Sequence, residues 1–402
     1  MKYVGFLSGK IKVLPEDFLV KEHLRFQPTK NSQNPYFLYV LKKSQWNTLD
    51  AIIKIAKQNQ LKLKEIQYAG IKDRYGITYQ HITSKTPLQW NKESQKKIEL
   101  ELIGKVPNPI NAKDILYNEF LITIRNIQEK ELPIIEKNAQ AIQEQGVINY
   151  YDNQRFHSFH KDFGLPLLYA LTGDDEKFFY YYLTNTLYHE SKEAKDRKYQ
   201  IRKHWGDWGK CKAISKTTTE KNVFEFLSKH PSKFERCFSF LPKKELELQY
   251  SIFQAYVWNQ TISLLLKEKL PKNEQVYMKT KMGDLLFVPK LPSLEFTHFP
   301  LIHPHYLEDK TYKNHFDLVL NEMEHRYFNS HFVKWDWKRK LNDQYFALKK
   351  RKIYIKPQNW EILSIQNDEI YKNKKKLVLK FFLDSGVYAT MVLKRLLLRT
   401  KQ

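Results

Sequence analysis

The 402 residues carry 68 Lys and Arg against 44 Asp and Glu, a formal net charge of +24, with 42% hydrophobic and 14% aromatic residues. A chain of this length buries a sizeable core and divides into two or three domains. So large a cationic surplus points to a polyanionic partner, nucleic acid first and an anionic membrane surface second. Only 12 glycines occur, and none are spaced i, i+2. The Gly-x-Gly-x-x-Gly dinucleotide loop and the phosphate-cradling P-loop are therefore both absent, which argues against nicotinamide, flavin and nucleoside-triphosphate chemistry. Cys211 and Cys237 form neither a metal-ligand spacing nor a disulfide framework, so a reducing cytoplasm is expected. The first residues begin no signal-peptide pattern, and no apolar run reaches bilayer length.

In chain order, Pro15 punctuates a loop that feeds a short strand, where Phe18 and Val20 alternate with Asp17, Leu19 and Lys21. Tyr36 to Lys43 is aromatic and branched, hence a strand. Asn47-Thr48 is a helix N-cap with Asp50 in the first turn. Leu49, Ile52, Ile53 and Ala56 then mark one face of a helix reaching Gln58.

The next stretch places Asp73 between Lys72 and Arg74, with Ala69-Gly70 before, Gly76 after, and an alternating strand from Ile77 to Ile82. Neighbouring cations favour the ionised carboxylate, and glycines permit a sharp turn or close ligand approach. An ionised Asp on such a loop is a candidate nucleophile or base. The same triplet also makes an ordinary solvated turn.

Phe120 to Arg125 alternates as a strand. Val147 to His157 is a polar, aromatic, amide-rich loop: amides pair with base edges, Tyr stacks and Arg grips phosphate. Its plainer reading is a turn made by Asp152-Asn153. Lys177 to His204 is basic, aromatic and largely helical by pattern. His298, His303 and His305 gather near prolines, but no acidic or thiol partner completes a metal set, so a surface loop is the better reading. Lys349 to Lys352 and Lys374 to Lys376 are basic runs, solvated faces by default and phosphate contacts at most. Leu377 to Leu383 is a strand, Asp384 to Gly386 a turn, and Ala389 to Leu398 a helix.

Several of these strings resemble the TruD family of pseudouridine synthases. Lys12, Pro15, Glu16, Asp17, Phe18, Val20 and Glu22 match its Lys-x-x-Pro-Glu-Asp-Phe-x-Val-x-Glu opening. Ala69-Gly70-Ile71-Lys72-Asp73-Arg74 with Thr78 and Gln80 matches its Ala-Gly-x-Lys-Asp signature. Asn118 and Phe120 match a Gly-Asn-x-Phe string before a strand, with Tyr117 in the Gly place. Asn149, Tyr150, Gln154, Arg155 and Phe156 match a further string. In that string Tyr151 replaces Phe, and Asp152 and His157 replace glycines, which implies an altered loop. Asn259-Gln260 falls in a weaker helical match. Leu383, Gly386, Tyr388, Ala389, Thr390 and Leu393 match the closing string, but Lys394-Arg395 stands where Arg-Glu is usual.

The resemblance implies that Asp73 is the catalytic residue and Lys12 a cation near its carboxylate. It makes Phe18 and Asn149 substrate contacts and Tyr388 the aromatic on the target base. Tyr151, Gln80 and Arg155 complete the expected substrate-binding set. The implied fold is α/β in the α+β sense: a mixed-sheet pseudouridine-synthase domain built from 1–174 and 351–402, with an α/β TRUD domain inserted over 175–350. The implied reaction is isomerisation of uridine to pseudouridine in the D arm of tRNA by a cytoplasmic monomer. It uses no metal, no nucleotide cofactor and no membrane. Two rivals stay open: a non-catalytic RNA-binding or chaperone protein on the same fold, and a glycoside hydrolase pairing Glu16 or Asp17 with Asp73.

Overall fold

The computed structural model describes residues 2–29, 33–91, 97–187, 190–329 and 333–399. Its chain divides into two compact units, one of Gly5–Val147 with Ile355–Gln402, the other of Met1–Val4 with Ile148–Tyr354. In the first unit the alternating segments become strands β1 (Phe18–Leu24), β2 (Tyr36–Ser44), β3 (Ile66–Tyr68), β4 (Ile77–Ser84), β5 (Ile98–Val106), β6 (Ile115–Ile127), β7 (Gln358–Asn367) and β8 (Lys375–Leu383). They form one eight-stranded sheet in the order β7-β8-β6-β1-β4-β2-β5, with the short β3 added to β4. β1 and β4 run parallel over Leu19 to Lys21, and the other pairings are antiparallel. The sheet is therefore mixed and is built from both ends of the chain.

Three helices cover this sheet: α1 (Thr48–Gln58), α2 (Leu132–Gln145) and α3 (Ala389–Leu396). Two apolar clusters result. Phe18, Val20, Phe120, Ile122, Leu379 and Phe381 pack with Ile135, Ile142, Val392 and Leu396 of α2 and α3. Tyr39, Leu41, Ile82 and Ile98 pack with Ile52 and Ile55 of α1.

Three sequence expectations need correction. The buried face of α1 is Thr48, Ala51, Ile52, Ile55 and Ala56, while Leu49 and Ile53 are exposed. The helix is turned because the Thr48 hydroxyl is drawn inward to hydrogen-bond Gln80. Asn118 and Phe120 lie within β6, not before it. The last helix stops at Leu396, because Leu398 and Arg399 pair with Phe6 and Gly5 as a strand.

The second unit is mainly helical. Its long helix Lys243–Lys269 buries Leu246, Phe253, Val257, Trp258 and Leu265, a helix apolar on most sides and so a core element. A small sheet adds Lys2–Tyr3 alongside Val276–Thr280, which pairs with Gly283–Leu286. Lys350–Lys352 pairs with His298–Pro300. The histidine loop serves structure, since His303 Nδ1 accepts the backbone N–H of His305. Among the described residues, no helix is long and apolar enough to cross a membrane.

Candidate active site

The Asp73 loop leaves β3 at Tyr68 and enters the neighbouring, antiparallel β4 at Ile77. Polar side chains tie its backbone down. Gln80 Nε2 donates to the Gly70 carbonyl at 3.3 Å. Thr48 Oγ1 accepts the Lys72 N–H at 3.0 Å and donates to Gln80 Oε1 at 2.9 Å. Lys43 Nζ donates to the Asp73 carbonyl at 2.7 Å. Gln80, Thr48 and Lys43 are fully buried. Gly76 closes the loop at φ +140, and a Cβ there would lie 2.4 Å from the Phe18 carbonyl oxygen. Only glycine fits so close an approach at that angle.

The cations beside Asp73 in sequence are not those beside its carboxylate in space. Lys72 turns inward, its Nζ 2.7 Å from Glu22 Oε2 and donating to Asn118 Oδ1 at 2.6 Å. Arg74 is exposed, with its guanidinium 5.7 Å from the Tyr75 ring. Lys12 supplies the neighbouring charge, its Nζ 3.3 Å from Asp73 Oδ1. Lys12 holds φ 58, a left-handed conformation uncommon outside glycine and often found where function fixes the backbone. Its ammonium also lies 4.1 Å from the centre of the Phe18 ring. Asp73, Lys12 and Phe18 thus form one contact chain.

Buried charges shape the surroundings. Burial raises the Glu22 pKa, but hydrogen bonding from His81 and the charge of Lys72 outweigh it, so Glu22 sits below the ordinary carboxylate range. Burial pushes Lys43 down to about 8, opposed by the charge of Asp73 and assisted by that of Lys72. Lys12 is thus the cation at the Asp73 carboxylate, Lys43 is buried under the loop backbone, and Lys72 is turned toward Glu22.

Gln80 was expected among substrate contacts. Its amide is wholly buried and engaged with Thr48 and Gly70, so it acts on the loop. Phe18 is likewise 1% exposed, edge-on to Phe120. Tyr388 is half-buried at the N-cap of α3. It follows the end of β8, where Leu383 is the register partner of Asn118, the residue that holds Lys72.

Asn149, Tyr151 and Arg155 belong to the other unit and form their own cluster. Asn149 is buried, donates to the Lys352 carbonyl at 3.0 Å and accepts from Arg351 Nη2 at 2.6 Å. The Arg351 guanidinium lies 4.0 Å from the centre of the Tyr151 ring, and Arg155 lies 6.0 Å from it. The Asn259 amide brackets the Tyr151 backbone, accepting its N–H at 2.9 Å and donating to its carbonyl at 2.8 Å. Asp152 and His157 stand at φ −84 and −63, ordinary angles for any residue. The expected distortion at the replaced glycines is absent, and Asp152 caps the turn by accepting from Asn153 N–H.

Sequence reading missed the supporting residues Lys43, Thr48, Arg351 and Asn259 in these roles. Arg351 was hidden inside a basic run. Its signal was a strand alternation that turns Arg351 to the opposite side from Lys350 and Lys352, both exposed.

A family model described as tRNA pseudouridine synthase D (TruD) matches residues 4–297. The chain belongs to the TruD family. It is 34% identical to the tRNA pseudouridine synthase D of Leptospira interrogans, over 99% of this chain and 98% of that one. It is 30% identical to a Methanocaldococcus jannaschii protein named probable tRNA pseudouridine synthase D 2, over 98% and 92% of the two chains. The fold matches a TruD crystal structure from Methanosarcina mazei with a TM-score of 0.61 at 20% identity, over 98% and 95% of the chains.

Proposed function

We propose that this chain isomerises a uridine of tRNA to pseudouridine, with Asp73 acting at the target nucleotide. One observation carries the assignment to Asp73. Its carboxylate is the partly exposed acid of the pinned loop, 32% accessible and 3.3 Å from the Lys12 ammonium. The reaction breaks the N1–C1′ bond, turns the uracil and forms a C5–C1′ bond, while the C5 proton leaves and N1 gains one. Atoms and electrons balance, so no redox partner is needed. Attack on the sugar and proton abstraction are both roles of a carboxylate, and the Lys12 ammonium lies 3.3 Å from this one.

In this reading Tyr388 holds the freed base, while Tyr151 and Asn149 contact the RNA and Arg155 meets a phosphate. Phe18 supports Lys12 from below, and Gln80 fixes the loop. On the same reading 1–174 with 351–402 forms the catalytic domain, which contains the unit of Gly5–Val147 and Ile355–Gln402, and the inserted TRUD domain, 175–350, lies within Ile148–Tyr354. Extruding the target from its stack costs a few kcal/mol, offset by stacking and by phosphate contacts to a chain of net charge +24. The substrate uridine is in the D arm, and the enzyme works as a cytoplasmic monomer.

The test is single-nucleotide pseudouridine mapping of tRNA transcripts incubated with the native chain and with Asp73→Asn, without added metal or cofactor. A D-arm site modified by the native chain alone is expected. RNA binding by both with product from neither would overturn the enzymatic reading in favour of an RNA-binding protein.

A further inference from the structure

The outer side of the Asp73 loop has a character opposite to its inner side. Inward, the loop is held by polar groups: Gln80 on Gly70, Thr48 on Lys72, Lys43 on Asp73. Outward, it shows Ile71 and Tyr75, which are 69% and 63% accessible. These are the two most exposed large apolar side chains among the described residues, and they stand two positions either side of Asp73. Single exposed apolar residues need no explanation. A pair bracketing the candidate catalytic acid, on a backbone fixed at several points, is a different matter. The fixed backbone also means that docking these side chains loses little loop entropy. Arg74 lies between them, exposed and 5.7 Å from the Tyr75 ring, which adds a cation for a nearby phosphate.

We infer that Ile71 and Tyr75 are the wedge that fills the gap left by the extruded uridine. Tyr75 stacks on one neighbouring nucleobase and Ile71 packs against the other, so the unstacked state is held while Asp73 reacts. This rests on the proposed function. It assigns the positioning of the RNA to residues that contact neither the reacting bonds nor the freed base. Aromatic stacking suits the task because every base has a π-face, so the wedge tolerates sequence on either side of the target.

The test uses a tRNA transcript with 2-aminopurine next to the mapped uridine, and a second RNA in which that uridine sits in an unpaired, unstacked bulge. Ile71→Ser/Tyr75→Ser is compared with the native chain. Both residues are exposed, so an unchanged thermal midpoint is expected and is the folding control. On the tRNA the variant should lose about tenfold or more in single-turnover rate, the size of one base-stacking contact. The 2-aminopurine fluorescence change on binding should be lost with it. On the bulged RNA the variant should match the native rate. Equal loss on both RNAs, or no loss on either, would overturn the wedge while leaving the isomerase reading intact. No product from the native chain on either RNA would overturn both together.

Discussion

The Asp73 loop and the Asn149–Phe156 segment both carry family strings, yet different physics fixes each. The loop is held from beneath by ions and amides of the sheet: Lys43, Gln80, and Lys72 on Glu22. The Asn149–Phe156 segment is held by an amide clamp from the long helix, Asn259 on the Tyr151 backbone, and by Arg351 across the Tyr151 ring. The first arrangement fixes the backbone of the loop that carries Asp73. The second places a cation on an aromatic face and clamps the backbone beside it. The difference teaches that a motif residue can contact substrate or can hold another residue that does, and that sequence alone does not separate the two.

Breaking the ionic support should have the largest effect. Lys72→Met leaves the Glu22 carboxylate fully buried without its cation and should cost about 3–5 kcal/mol in urea denaturation. Adding Glu22→Gln to the same chain should restore much of that loss. No recovery in the double variant would mean that the pair is not the unit of support.

The pH dependence of stability sharpens the same side of the comparison. Lys43 sits at about 8 in the fold against 10.5 when unfolded, so the folded state holds this proton less tightly. The resulting destabilisation is full below pH 8 and is relieved as pH rises from 8 to 10.5, by an amount on the order of 3 kcal/mol. Stability measured across that window should rise in the native chain and flatten in Lys43→Met. Parallel profiles would contradict the assignment.

The amide clamp should matter less. Asn259→Ala leaves the Tyr151 N–H and carbonyl without their partners and should cost about 2 kcal/mol, read as a lowered thermal midpoint. An unchanged midpoint would show that water replaces the amide freely.

Much of the fold was readable from pattern. Phe18 and Val20 alternate because one face of β1 is buried, and the span of α1 followed from the Asn47-Thr48 start and its apolar spacing. The face of α1 was not readable. Thr48 looks like a cap in sequence, whereas its hydroxyl is a buried link between Lys72 and Gln80. In the same way, Lys72 and Arg74 looked like the partners of Asp73 because they are adjacent. Side chains of neighbouring loop residues point in different directions; Lys12 was implied near the carboxylate by the family resemblance and not by spacing, and the fold brings it there. Arg351 was lost among lysines because a basic run gives no sign of which member turns inward.

The most direct test of this division of labour is a paired kinetic measurement on the mapped tRNA, taking kcat and KM for Lys12→Met and Arg351→Met. Lys12→Met should lower kcat roughly tenfold or more with KM little changed. Arg351→Met should raise KM by a similar factor with kcat largely kept. A fall in kcat for Arg351→Met with no change for Lys12→Met would contradict the assignment of chemistry to the Asp73 loop.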